Sequence, residues 1–158
     1  MVNPLIGVHL AFGEIAILSS IWIIVELINP DVKRIRRAKI AALIGVVFFF
    51  LSWISGGYYY LTEYGSVVKP MIKASASPWA HKIVMEVKEH VFLMLPFLAV
   101  LVYGILSNKS KEILDNGEFR KWTMYLSGLV VFLGMLMAFM GYLISSAARD
   151  ALVAGVVV

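Results

Sequence analysis

Four apolar stretches, each long enough to cross a lipid bilayer as a helix, take up most of this chain. About 20 apolar residues, at roughly 1.5 Å of rise each, span a hydrocarbon layer of about 30 Å. Lipid offers no hydrogen bonds, so such segments must satisfy their backbone internally, and helices do so. The first stretch covers about 4–28 and is closed by Asn29 and Pro30. The second covers about 38–60 and is closed by residues 62–65, which include Thr62, Glu63 and Gly65. The third covers about 78–106, with Pro78 as a first-turn residue behind Ser77. The fourth covers about 122–147.

Composition agrees with this reading. The chain is 61% hydrophobic, with a mean hydropathy of +0.87. A soluble protein of this composition would have to bury almost every helix, and 158 residues cannot supply that much interior. The expectation is a single all-α integral membrane domain over residues 1–158, with no soluble module. Short connections favour an up-down four-helix bundle. The first stretch lacks a basic flank and runs the length of a span, so it reads as a span rather than a cleaved leader. The absence of cysteine excludes disulfides, thiolate-ligated clusters and thioether-bound c-type haem.

The net charge of +4 is explained by topology rather than by nucleic acid. Lys33, Arg34, Arg36, Arg37 and Lys39 fill the first connection, and Lys109, Lys111, Arg120 and Lys121 fill the third. Lys69, Lys73, Lys82 and Arg149 lie on the opposite side, with Lys88 just inside the third stretch. Basic residues stay cytoplasmic, so the expected location is a cytoplasmic-type membrane with both termini outside. Glu26 then lies at the inner end, where it can meet the basic loop.

Two histidines carry the functional expectation. His9 sits about five residues inside the first stretch, and His90 sits where the third becomes wholly apolar. An ionisable side chain within a span is expensive and marks a candidate site. At one depth on two diagonal helices, the pair suits the two axial positions of a b-type haem. Gly13, one turn from His9, leaves room for a porphyrin edge. Lys82 and Lys88 are candidate partners for the propionates. The expected function is membrane electron transfer, as an oxidoreductase subunit rather than a stand-alone enzyme. It would exchange electrons with a quinone or an outer-face carrier, alongside other membrane subunits or further copies of the chain. The layout resembles that of small four-helix membrane b-type cytochromes in general architecture.

Two other readings stand beside this one. Glu86 and His90 are four apart and share a helix face. With His9 they would form a mixed nitrogen and oxygen set for zinc, copper or non-haem iron. The other reading is a cofactor-free structural subunit of a larger membrane complex. Small residues on shared helix faces (Gly13, Ala16 and Ser20; Gly45, Ser52 and Gly56; Ser127, Gly134, Ala138, Gly141 and Ser145) would then be helix-packing stripes. His81, nine residues from His90 and close to Trp79, reads as a solvated surface histidine.

Overall fold

The computed structural model describes residues 4–156, and it is helical throughout, with no strand among the described residues. Helix α1 runs Pro4–Ile28 and α2 runs Val32–Tyr59. Asn29 and Pro30 separate them, and the Asp31 side chain caps α2 by accepting from the Arg34 N–H at 2.7 Å.

The second stretch does not stop at residues 62–65. The backbone widens into a π-helical segment, Tyr60–Val68, whose hydrogen bonds run from i to i+5, and continues into α3, Lys69–Ala74. The helical path is therefore unbroken from Val32 to Ala74. Gly65 fits this wide turn: a Cβ there would lie 3.3 Å from the Tyr60 carbonyl oxygen five residues back. Polar residues alone do not end a helix while its carbonyls keep partners, and the break falls instead at Ser75, whose backbone is extended.

The third stretch is segmented. A second π-helical segment, Ala80–Met85, leads into α4, Glu86–Phe92, and then α5, Met94–Asn108. The interruption at Leu93 follows from Pro96, which has no N–H to offer the Phe92 carbonyl four residues back. A short helix, α6, Ser110–Asp115, fills the next connection. Helix α7 runs Gly117–Val153, longer than the apolar stretch, because Asn116 caps it by accepting from the Glu118 and Phe119 N–H groups at 3.0 and 3.1 Å.

Four helical paths are long and apolar enough to cross a membrane: Pro4–Ile28, Val32–Ala74, Ala80–Asn108 and Gly117–Val153. Their outward faces are as apolar as the core. Leu18, Ile54, Phe97 and Phe132 are each more than 60% exposed, a surface that suits lipid contact and not water. This is the pattern of an integral membrane protein.

Helix α1 packs against α2 and α7, and α5 packs against the same two helices, so α1 and α5 lie across the core from one another. Small residues set the close α1–α2 approach. A Cβ on Gly45 would meet Ser19 Cβ at 3.7 Å and the Ala16 carbonyl at 3.8 Å, and one on Gly13 would meet Ser52 Oγ at 3.5 Å. Against α7, a Cβ on Gly134 would lie 2.7 Å from Ile17 Cγ1. The small-residue stripes are thus filled by neighbouring helices. The buried hydroxyls of Ser20 and Ser127 are satisfied by the carbonyls one turn back, at 3.0 and 2.9 Å.

One end of the bundle is held by charge. The buried Glu26 carboxylate accepts from Trp22 Nε1 at 2.9 Å, Arg34 Nε at 2.9 Å, and Arg37 Nε and Nη2 at 2.7 and 3.0 Å. This arginine end fixes the register of the α1–α2 hairpin. The opposite, histidine end carries His9, both π-helical segments and α4.

Candidate functional site

His9 lies between α1 and α2, half-buried and fixed by Ser52. Its Nδ1 is 2.8 Å from the Ser52 carbonyl oxygen and 3.1 Å from Ser52 Oγ, which itself donates to the His9 carbonyl at 3.0 Å. A carbonyl can only accept, so Nδ1 carries the proton and Nε2 presents its lone pair. The ring rests on Gly56, where a Cβ would fall 2.6 Å from Nδ1. Phe92 meets the ring edge-on, with centroids 6.0 Å apart.

His90 has the same proton arrangement by a different route. Its Nδ1 donates to the Glu86 carbonyl one turn back at 2.6 Å, which again leaves Nε2 as the lone-pair nitrogen. The two histidines are not brought together, however. Phe92 is the residue that turns toward His9, and His90, two positions earlier, lies about 200° away around the helix. His90 is accordingly exposed.

The other expected site residues divide in the same way. Lys88 is half-buried, with Nζ 3.3 Å from where a Gly141 Cβ would sit, and its charge acts on His9. Lys82 is exposed. Gly13 lies against Ser52 instead of beside an open space. The Glu86 carboxylate turns away from His90 toward His81, with Oε1 3.7 Å from His81 Nε2. Among the described residues, no three His, Asp or Glu side chains gather in a metal-holding group.

The expectation that His81 is a solvated surface histidine is corrected by the fold. His81 is 3% exposed and sits under Tyr64, itself 2% exposed, whose hydroxyl is 3.1 Å from His81 Nδ1. Tyr60 stacks on Tyr64 with centroids 5.3 Å apart and planes at 24°. Ile72, Ala80, Ile144 and Ala147 enclose the pair. In an α-helix, His81 and Glu86 would point about 140° apart. In the widened turns of Ala80–Met85, residues five apart come onto one face, and the two meet. Tyr64 is brought in by the matching π-helical segment on the second path. π-Helical turns often occur at functional sites, and here two of them face each other across a tyrosine–histidine contact.

Comparison of the chain with family models, with curated proteins and with solved structures gives no match.

Proposed function

We propose that this chain is a b-type haem-binding electron-transfer protein, or such a subunit of a larger membrane oxidoreductase, in which His9 and His90 would hold the haem iron through Nε2. The observation that carries the reading is the shared proton arrangement. Each histidine commits Nδ1–H to a backbone carbonyl and leaves Nε2 without a protein partner among the described residues. Ligating histidines are oriented in this way, since the carbonyl fixes both tautomer and ring direction. His9 is the pre-set ligand, held by Ser52 and Gly56.

His90 joins it only if α4 turns about its axis. Three features favour such a turn. The α4 segment has no fully buried side chain. It is bounded by π-helical winding on one side and by the Leu93 break on the other. Lys88, already directed inward, would then be carried toward the rim with a propionate as its partner. The more exposed Lys82 would serve the same purpose at the surface. Bound there, a haem supplies one-electron chemistry, and the protein supplies ligands, orientation and an apolar surround.

The bundle would run up-down, with the arginine end in the cytoplasm and both termini outside. Antiparallel pairing is supported by the α1–α2 contacts, in which Gly56 faces His9, Gly13 faces Ser52 and Gly45 faces Ser19. Cytoplasmic placement rests on the basic connections. The electron partner would be a quinone or a carrier at the outer face.

A second reading, a cofactor-free packing subunit, is favoured by the closeness of the helices. The gap between the four helices at Ser20, Gly45, Ala99 and Ser127 is only about 10 Å³. Titration of the detergent-purified protein with haemin separates the two. The haem reading expects saturation at one haem per chain, and loss of that binding in His9→Ala and in His90→Ala. Full binding in either variant removes that ligand, and no saturable binding leaves the packing subunit.

A further inference from the structure

The Tyr64–His81 contact is a costly way to fill the end of a membrane bundle. Polar rings buried among Ile72, Ala80, Ile144 and Ala147 lose water and regain only the bonds they make with each other. Two apolar side chains would fill the same space, so packing does not explain the choice. Bringing the rings together also takes two departures from α-helical winding.

The imidazole is placed as a bridge. On one edge, Nδ1 lies 3.1 Å from the Tyr64 hydroxyl, and it is the acceptor there when Nε2 carries the proton toward the Glu86 carboxylate, which can only accept. On the other, Nε2–H faces Glu86 Oε1 at 3.7 Å, a gap that rotation of the carboxylate or one water closes. The chain thus runs from a phenol that is 2% exposed to a carboxylate side chain that is 48% exposed. Glu89 acts electrostatically on Tyr60 and Tyr64, and its Oε1 is buried with no hydrogen-bond partner among the described residues.

We propose that Tyr64, His81 and Glu86 form a proton-transfer chain between the buried aromatic cluster and the water at the histidine end. The Tyr64 O–H bond breaks as its proton passes to Nδ1. The Nε2–H bond breaks as its proton passes to Glu86 Oε1, and the carboxyl group releases that proton to water. The imidazole ends neutral in its other tautomer, Tyr64 carries the negative charge until the reverse transfer, and no electron moves. The charged groups that act on His81 are Lys69 and Lys73 of α3 and Glu86 of α4. Tyr59 and Tyr60 pack on Tyr64, and α7 contributes the apolar Ile144, Ala147 and Ala148. The titratable groups that act on Tyr64 itself are Tyr60, Glu89, Tyr59 and Glu86. The chain belongs to α4 as it stands here, before any turn toward His9, and it does not rest on the function proposed above.

The test uses the full chain, labelled with ¹⁵N-histidine, in lipid nanodiscs with no haem added. Nitrogen shifts should show His81 as the Nε2–H tautomer, and its ring proton should exchange with water through Glu86. Glu86→Gln should slow that exchange at least tenfold and Glu86→Asp should restore it. Tyr64→Phe, which cuts the chain at its inner end, should leave the exchange fast. An unchanged rate in Glu86→Gln, an Nδ1–H tautomer in the wild type, or no recovery in Glu86→Asp would each overturn the chain. Because no haem is present, failure here is distinct from failure to bind haem.

Discussion

Adjacent glycines on α2 offer a sharp test of how His9 is held. A Cβ on Gly56 would lie 2.6 Å from His9 Nδ1 and 2.8 Å from its Cε1, whereas one on Gly57 meets nothing within 4 Å. The His9 ring cannot yield toward α2, and moving it away breaks the 2.8 Å bond to the Ser52 carbonyl. Overpacking of this kind costs about 1–3 kcal/mol, and the lost hydrogen bond adds about 1 kcal/mol. Alanine has a helix propensity about 1 kcal/mol better than glycine, which offsets part of the loss. Gly56→Ala should therefore destabilise the protein by about 1–3 kcal/mol, while Gly57→Ala should be neutral or stabilising by up to about 1 kcal/mol. Reversible denaturation of the two variants in mixed micelles, followed by far-UV circular dichroism, reads the difference. Equal stability of the two variants, or a more stable Gly56→Ala, would refute the placement of His9 against α2. If His9 is the haem ligand, Gly56→Ala should also weaken haem binding, and Gly57→Ala should not.

Further expectations follow from other contacts. Glu26→Gln keeps the shape of the arginine clamp but removes its charge. Because Arg37 is half-exposed in that ion pair, screening limits the loss to about 2 kcal/mol, measurable in the same denaturation assay, and an unchanged midpoint would show that the clamp contributes nothing. Gly134→Ala, whose Cβ would meet Ile17 Cγ1 at 2.7 Å, should cost about 1–3 kcal/mol, while Gly128→Ala, with open space, should not destabilise. Tyr64→Phe preserves the stack on Tyr60 and removes the hydroxyl from His81, for a loss of about 1 kcal/mol. A larger change in the near-UV spectrum than in stability would show that the ring itself had moved. His81→Ala should leave haem binding intact, since His81 is spent on Tyr64 and Glu86.

The membrane-spanning helices were legible because length and hydropathy fix them without regard to detail. That Glu26 can meet the basic loop was legible too, since it lies one turn before a Pro-containing connection, and Arg34 and Arg37, one and two turns after it, are the partners. What failed was the assumption of uniform α-helical winding. Residues 62–65 looked like a stop, and His81 looked like a surface residue. Both readings turn on i→i+5 segments that no composition or periodicity signals. The five-residue spacing of His81 and Glu86, and of Tyr59 and Tyr64, was the one available hint, and it carries meaning only once the wider turn is known. Matched depth was also a poor guide to His90. Depth gives the level of a side chain along the bundle, and Phe92, not His90, occupies the face that meets His9.

The functional proposal stands on haem ligation by His9 and His90. The most direct measurement is a reduced-minus-oxidised visible spectrum of the natively purified protein, with iron analysis on the same sample, for the wild type, His9→Ala and His90→Ala. A b-type haem held by His9 and His90 gives a sharp six-coordinate α-band with about one iron per chain, lost in both variants. A wild-type protein without that band, or a variant that keeps it, would contradict the claim.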